Sequence, residues 1–144
     1  MKSRKWGVGS RFLFLFFLLV LLDQCSKWFF RSRSFTIIDG FFSLTPSTNT
    51  GSAFGLFQSV PNVLFIILSI VVIIGGIVLV RKEVIPEWFA LLFLAGVTGN
   101  LVDRVLFGAV TDFIAFSFWP SFNIADSLMV VSVVGLVWME MCKK

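Results

Sequence analysis

Four apolar stretches dominate this sequence, and each is long enough to cross a lipid bilayer. They fall at 12–30, 62–80, 88–107 and 123–140. A helix of about 20 residues spans a hydrocarbon core of roughly 30 Å. Mean hydropathy is +0.97 and only 14% of the residues are charged, against about a quarter in soluble domains. Residues 1–144 are therefore predicted to form a single, mainly α integral membrane domain with four transmembrane helices.

The first stretch follows a basic segment, as in a secretory signal peptide. However, Asp23-Gln24-Cys25 offers no small residues at the usual cleavage positions, so we expect an uncleaved helix. Between the first two spans, Ser, Thr and Gly become frequent and short β-prone runs appear. These runs predict a small extracytoplasmic β element at about 35–58, lying on the membrane surface.

Charge at the ends of the spans predicts their orientation. Four spans put both termini on one side, which would hold eight basic residues, whereas the other side would hold Arg31 and Arg33. Because cytoplasmic loops are enriched in Lys and Arg, we expect both termini in the cytoplasm. The basic residues that give the net charge of +4 are dispersed at the ends of the spans, so no nucleic-acid partner is expected. The eight basic residues expected on the cytoplasmic side are Lys2, Arg4, Lys5, Arg11, Arg81, Lys82, Lys143 and Lys144.

The alternating directions of the spans predict where their polar residues meet. Spans one and three run outward and span four runs inward, so the polar residues of all three fall near the outer membrane boundary. Ionisable groups are costly in a bilayer and are retained mainly where they pair or take part in chemistry. The residues concerned are Asp23, Lys27, Asn100, Asp103, Arg104, Asn123 and Asp126, joined by 49–55 and Asp112 from the connecting segments.

Two carboxylates, Asp112 and Asp126, are the simplest catalytic set in this chain. There is no His, which excludes Ser–His catalysis and His-based metal sites. Two close carboxylates share one proton, so one can act as a base on water while the other donates a proton. Alternatively, Asp112 is a solvated loop acid, and Asp126 is an acid favoured by a helix N-terminus. No metal or organic cofactor is expected.

The remaining polar residues have structural as well as functional interpretations. Asp103-Arg104 is either a positioning pair, with Arg104 directed at a carbonyl or carboxylate of the site, or an ion pair at the membrane interface. Asp23 and Lys27 are spaced for an intrahelical salt bridge. Asn49 and Asn123 can bind a substrate backbone or cap a turn and a helix. Gly51 and Gly55 suit tight turns, and Cys25 and Cys142 are expected to be small apolar fillers.

Five motifs follow one another at compatible spacing and together cover nearly the whole chain. They are Asp23-Gln24-Cys25-Ser26-Lys27, Asn49-Thr50-Gly51-Ser52-Ala53-Phe54-Gly55, Gly99-Asn100-Leu101-Val102-Asp103-Arg104, Thr111-Asp112-Phe113-Ile114 and Phe122-Asn123-Ile124-Ala125-Asp126-Ser127. This series closely resembles the lipoprotein signal peptidase family, also called signal peptidase II. Ser26, Ser52 and Thr111 depart from its commoner residues, and the segment between the two candidate aspartates, which carries a flap in the family, is short here.

The resemblance implies a membrane aspartic endopeptidase with four transmembrane helices and an extracytoplasmic β-cradle. Its substrate would be a prolipoprotein cut just before a diacylglyceryl-modified Cys, at the outer face of a bacterial inner membrane. Asp112 and Asp126 would be the catalytic pair, and one chain would hold a complete site, so a monomer is expected. The supporting shell would comprise Asp23, Lys27, Asn49, Gly51, Asn100, Asp103, Arg104, Asn123 and Ala125.

Two other classes of function remain open from the residues alone. A small proton-coupled transporter also uses membrane carboxylates, but here they cluster at one interface and no inverted repeat is visible. A non-catalytic assembly protein would tolerate replacement of Asp112 and Asp126 one at a time. Mutation of each aspartate separates these classes from the peptidase.

Overall fold

The computed structural model describes residues 9–51 and 60–143. It contains four helices and four strands within those ranges. In chain order they are α1 Ser10–Phe30, β1 Phe35–Ile38, β2 Phe42–Asn49, α2 Asn62–Arg81, α3 Glu87–Phe107, β3 Val110–Phe116, β4 Trp119–Phe122 and α4 Ile124–Cys142. All four helices are long and apolar enough to cross a membrane. The predicted class, four membrane helices with a small antiparallel sheet, is confirmed.

Helix α3 lies at the centre of the bundle and carries most of its core. It packs against each of the other three helices, and its buried residues include Ala90, Leu91 and Leu94. By contrast, α2 has no fully buried residue, and its side chains such as Leu68 and Val71 are more than half exposed. Because lipid solvates such side chains, their exposure is expected of a membrane helix. The polar site therefore has to be built on α3 and its neighbours.

The sheet is antiparallel, with the strands in the order β1-β2-β3-β4. The predicted β element at 35–58 accounts for β1 and β2, and its part at 52–59 lies outside the described residues. The other half of the sheet, β3 and β4, is not predicted by the sequence pattern. Strand β3 is buried over Val110–Phe113, so it lacks the alternation that marks a half-exposed strand. Pairing with β2 makes it a strand.

Glycines let α3 approach the neighbouring helices closely. A Cβ built on Gly99 would lie 2.5 Å from Asp23 Oδ2 and 3.2 Å from the Cβ of Ala125. A Cβ built on Gly96 would collide with the backbone carbonyl oxygen of Ala125. These positions must therefore lack a side chain if the polar faces of α1, α3 and α4 are to meet.

Candidate active site

The polar residues from separate parts of the sequence meet where three helix ends adjoin the sheet. Helix α1 contributes Asp23 and Lys27 from its last two turns, and α3 contributes Asn100 from a similar position. Asp112 lies on β3, and Asp126 lies in the first turn of α4. The predicted convergence at one end of the bundle is therefore present in the structure.

Asp112 is nearly completely buried, at 3% exposure, and it accepts two side-chain amides. Asn123 Nδ2 donates to its Oδ1 over 2.7 Å, and Asn49 Nδ2 donates to its Oδ2 over 3.3 Å. Burial, followed by the negative charge of Asp126, raises the pKa of Asp112 from 3.8 to about 6, although both amide hydrogen bonds oppose the rise. Asp112 thus holds a proton at a higher pH than an ordinary aspartate.

Asp126 is fixed by the start of its own helix. Asn123 is the N-cap of α4, and its Oδ1 accepts the Asp126 N–H over 2.9 Å. In return, Asp126 Oδ2 accepts the Asn123 N–H over 3.2 Å, which completes a capping box. Asn123 therefore contacts both aspartates: its Oδ1 and backbone N–H bind Asp126, and its Nδ2 binds Asp112. Of the two roles predicted for Asn123, capping of α4 is confirmed, and binding of a substrate backbone stays a prediction.

Lys27 sets the orientation of the second bridging amide, that of Asn100. The Lys27 ammonium can only donate, and its Nζ lies 2.9 Å from Asn100 Oδ1. Asn123 Nδ2 donates to the same oxygen over 3.1 Å. The Asn100 Nδ2 is thereby left to donate to Asp126 Oδ1, over 2.8 Å. A buried positive charge thus acts on Asp126 through one oriented amide.

Two further carboxylates, Asp23 and Asp103, pair with cations instead of facing the cavity. Lys27 Nζ lies 2.8 Å from Asp23 Oδ2, as the helical spacing predicted, and 3.6 Å from Asp103 Oδ2. All three side chains are fully buried. Asp23 also accepts the backbone N–H of Ala125 over 2.9 Å, and Asp103 accepts that of Thr111 over 2.8 Å. These contacts join α1 and α3 to the backbone beside each catalytic candidate.

An ion pair between Asp103 and Arg104, one of the two interpretations of these residues, is not found in the structure. Consecutive helix residues point about 100° apart, and Asp103 turns towards α1, where Arg31 Nη2 lies 3.5 Å from its Oδ1. Arg104 turns towards the loop after β2, and its Nη2 donates to the carbonyl oxygen of Gly51 over 3.0 Å. Gly51 is further held by its N–H, which donates to Asn49 Oδ1 over 3.0 Å. Arg104 therefore binds a carbonyl, one of the two partners expected for it.

The aspartates open into a cavity of about 560 Å³ that lies between α3, α4 and the β3–β4 hairpin. The hairpin supplies one wall, and apolar residues of α4 supply another. Val130 and Val131 are 60% and 59% exposed, so this wall continues into the lipid-facing surface. The lining residues are Asn49, Asn100, Arg104, Val110, Asp112, Trp119, Pro120, Ser121, Phe122, Asp126, Ser127, Met129, Val130 and Val131.

Sequence reasoning missed some contributors to the site and misjudged others. Arg31 was counted only as an outer charge, yet it ion-pairs with Asp103, and its Nε donates to Thr111 Oγ1 over 3.1 Å. The sequence does indicate that Arg31 can reach the site, because it follows Lys27 by four residues on the same helix face. Cys25 and Cys142 are both exposed and do not fill a core, because they lie on outward faces of their helices.

The arrangement can carry out acid–base chemistry with carboxylates. Within 9–51 and 60–143, no group of three or more His, Cys, Asp or Glu side chains is placed to hold a metal ion. Asp112 and Asp126 share a cavity and the bridging Asn123, and both accept amide donors. Two such carboxyls can activate a water molecule and polarise a carbonyl. Gly55 and Ser52 lie outside the described residues.

Comparison with known proteins gives one consistent family. Residues 15–142 match the family model described as signal peptidase (SPase) II. A lipoprotein signal peptidase of Moorella thermoacetica is 36% identical over 138 residues, covering 88% of this chain and 90% of the relative. The one from Caldanaerobacter subterraneus is 38% identical over 137 residues, covering 87% of this chain and 92% of the relative.

Solved structures show the same fold. A bacterial membrane enzyme determined at 2.3 Å by the in meso method is 28% identical, with a TM-score of 0.85 over 99% of this chain and 93% of that one. A second one, determined at 1.9 Å, is also 28% identical, with a TM-score of 0.81 over 99% of both chains. Both the sequence and the fold are therefore similar to those of known membrane enzymes over almost the whole chain.

Proposed function

This chain belongs to the signal peptidase II family, and we propose that it cleaves prolipoproteins just before a diacylglyceryl-modified cysteine, with Asp112 and Asp126 as its catalytic pair. It is a membrane aspartic peptidase that removes signal peptides from prolipoproteins. Its catalytic residues, its lipid requirement and its orientation belong to the proposal.

One observation carries the assignment of the catalytic pair. Among the aspartates at this end of the bundle, Asp112 and Asp126 line the cavity, whereas Asp39 is exposed in the turn between β1 and β2. Asp23 and Asp103 are fully buried and ion-paired with Lys27. A carboxylate that is neutralised by a buried cation and shielded from the cavity cannot reach a peptide bond. We therefore assign the chemistry to the two that can.

The surroundings of the two aspartates also favour different roles for them, one as the proton donor and the other as the base. Asp112 is the more deeply buried of the two, and its raised pKa of about 6 makes it the proton donor. Asp126 accepts hydrogen bonds at both oxygens, from Asn100 Nδ2 and from the Asn123 N–H, which hold its carboxylate in place as the group that takes a proton from water. A substrate lying over the cavity would exclude water and extend the pH range in which Asp112 stays protonated.

Hydrolysis by this pair proceeds in two balanced steps. Asp126 takes a proton from water, the hydroxyl oxygen bonds to the scissile carbonyl carbon, and the Asp112 proton passes to the carbonyl oxygen. The tetrahedral intermediate then breaks its C–N bond while Asp126 delivers its proton to the departing amine. The hydroxyl proton returns to Asp112 as the carboxylic acid product forms. The pair is thereby restored to its starting protonation.

The geometry of the cavity supports a lipid-modified substrate. Its α4 wall includes Val130 and Val131, which are largely exposed, so the site is continuous with the surface that faces acyl chains. A cysteine carrying diacylglycerol has its acyl chains in the bilayer and its peptide bond at headgroup depth. Such a residue can approach the aspartates sideways from the membrane, without leaving it.

Arg104 is the residue best placed to hold the substrate backbone. Its Nη2 donates to Gly51, whereas its buried Nε finds no acceptor among residues 9–51 and 60–143. A buried unpaired donor is costly, and Arg104 lines the cavity. A substrate carbonyl oxygen would supply the missing acceptor.

Charge supports placing both termini in the cytoplasm and the site at the outer face of the inner membrane. Of the eight basic residues that favour this orientation, Lys2, Arg4, Lys5 and Lys144 lie outside the described residues. A C-terminal fusion to green fluorescent protein should fluoresce if the terminus is cytoplasmic, whereas a fusion to alkaline phosphatase should be inactive. Both aspartates lie on one chain, which favours an active monomer.

The substrate proposal is tested with two forms of one prolipoprotein, which differ only in diacylglycerol on the cysteine. The purified protein should convert the lipidated form to a faster-migrating product on a gel, and mass spectrometry should place the modified Cys at the new N-terminus. The form without lipid should remain intact. Equal cleavage of both forms would contradict the lipid requirement, and a product starting at another residue would contradict the cleavage position.

A further inference from the structure

A second cavity lies at the end of the bundle opposite the aspartates. It measures about 820 Å³ and is formed where the start of α1, the turn from α2 to α3 and the end of α4 come together. It shares no lining residue with the cavity that holds Asp112 and Asp126. The proposed peptidase function makes no use of it.

The rim of this cavity carries both cations and carboxylates, with one cation in excess. Arg11, Arg81 and Lys143 line it, together with Glu83 and Glu87. Lys143 Nζ pairs with Glu140 Oε1 over 2.6 Å. Neither Arg11 nor Arg81 has a carboxylate within 4.0 Å in the part of the chain that the structure describes. Two guanidinium groups on the rim are therefore available for an anion.

The walls of the same cavity are apolar. Phe12 and Leu15 come from α1, and Trp88 and Leu91 come from α3. Trp88 is 67% exposed, and Trp is typical of the level at which headgroups meet acyl chains. An occupant of this cavity would thus need a negative group at one end and hydrocarbon at the other.

We propose that this cavity binds an anionic phospholipid. Its phosphate would contact Arg11 and Arg81, and the part of its acyl chains nearest the headgroup would pack against Phe12, Leu15 and Trp88. Basic pockets between membrane helices bind such headgroups through charge attraction. Charge complementarity favours an anionic lipid, since the described cations at this end, Arg11, Arg81, Lys82 and Lys143, exceed the described carboxylates, Glu83, Glu87 and Glu140. A free phosphate would use the arginines but leave the apolar walls uncovered.

Native mass spectrometry of the full chain in detergent tests the proposal, with phosphatidylglycerol, phosphatidylcholine and glycerophosphate as probes. Wild-type protein should retain phosphatidylglycerol in preference to the other two. The double variant Arg11→Gln/Arg81→Gln should bind phosphatidylglycerol about 25-fold more weakly, at about fivefold for each cation near the headgroup. Both arginines are exposed, so the variant is expected to fold.

The matched control is Lys82→Gln, which removes a neighbouring exposed cation that does not line the cavity. It should keep the wild-type preference. The proposal is overturned if phosphatidylcholine is retained equally, or if the double variant binds like wild type. A loss in Lys82→Gln as large as in the double variant would mean diffuse attraction without a site. Glycerophosphate binding as tightly as the lipid would overturn the role of the apolar walls.

Discussion

Replacing Asp112 by Asn should stabilise the protein at high pH even though it removes a proposed catalytic group. The pKa of Asp112 is raised from 3.8 to about 6, and each pKa unit corresponds to about 1.36 kcal/mol. A raised acid pKa means that the contribution of Asp112 to stability is greatest below its unfolded pKa and is lost as the pH rises through about 6. Ionised Asp112 thus costs on the order of 3 kcal/mol.

Asparagine removes that cost but introduces a smaller one. Its amide group would face Asn49 Nδ2, which now donates to Asp112 Oδ2, and one lost hydrogen bond costs about 1 kcal/mol. The net gain for Asp112→Asn at pH 8 is therefore about 2 kcal/mol, a rise of roughly 4 to 8 °C in Tm for a chain of this size. At pH 4 the carboxyl is protonated and the gain should disappear.

Thermal unfolding of the detergent-solubilised protein at pH 4, 6 and 8 measures this effect. Asp39→Asn is the control, because Asp39 is exposed in the turn between β1 and β2, and it should leave Tm unchanged at each pH. The reasoning fails if Asp112→Asn is no more stable than wild type at pH 8. It also fails if the gain is the same at pH 4 and pH 8, since burial of a charge would then not be its cause.

The buried contacts around Asp23 lead to two further predictions. Lys27→Met leaves Asp23 and Asp103 without their shared cation, so it should cost about 3–5 kcal/mol; little change in Tm would refute the role of this ion cluster. Gly99→Ala places a Cβ 2.5 Å from Asp23 Oδ2 and should cost about 1–3 kcal/mol. The control Gly75→Ala, which meets nothing within 4 Å, should instead stabilise by about 0.5–1 kcal/mol. Similar Tm values for these two variants would contradict the close approach of α1 and α3.

Much of the fold follows from the sequence because the bilayer fixes the length of a span. With span lengths and alternating directions known, the polar ends of the first, third and fourth helices had to lie at one level. Hydropathy could place Asp23, Asn100 and Asp126 at that level. It could not separate Asp112 and Asp126 from Asp103, and their roles came from the resemblance of the motifs. In the structure, Asp103 is distinguished by its cationic partners, Lys27 and Arg31.

The features that were not predicted depend on partners distant in sequence. Strand β3 exists because β2 pairs with it, and no local pattern in Val110–Phe116 encodes that pairing. The hydrogen bond from Arg31 to Thr111 Oγ1 joins residues 80 positions apart. The orientation of the Asn100 amide likewise depends on Lys27 of another helix. Such contacts emerge only when the helices are packed together.

The central claim is that Asp112 and Asp126 both carry the chemistry, and single-turnover cleavage of a diacylated prolipoprotein tests it most directly. Asp112→Asn and Asp126→Asn should each lower the rate at least about 100-fold, while both variants stay folded and Asp39→Asn cleaves like wild type. If either Asp112→Asn or Asp126→Asn cleaves at the wild-type rate, these two residues are not a catalytic pair.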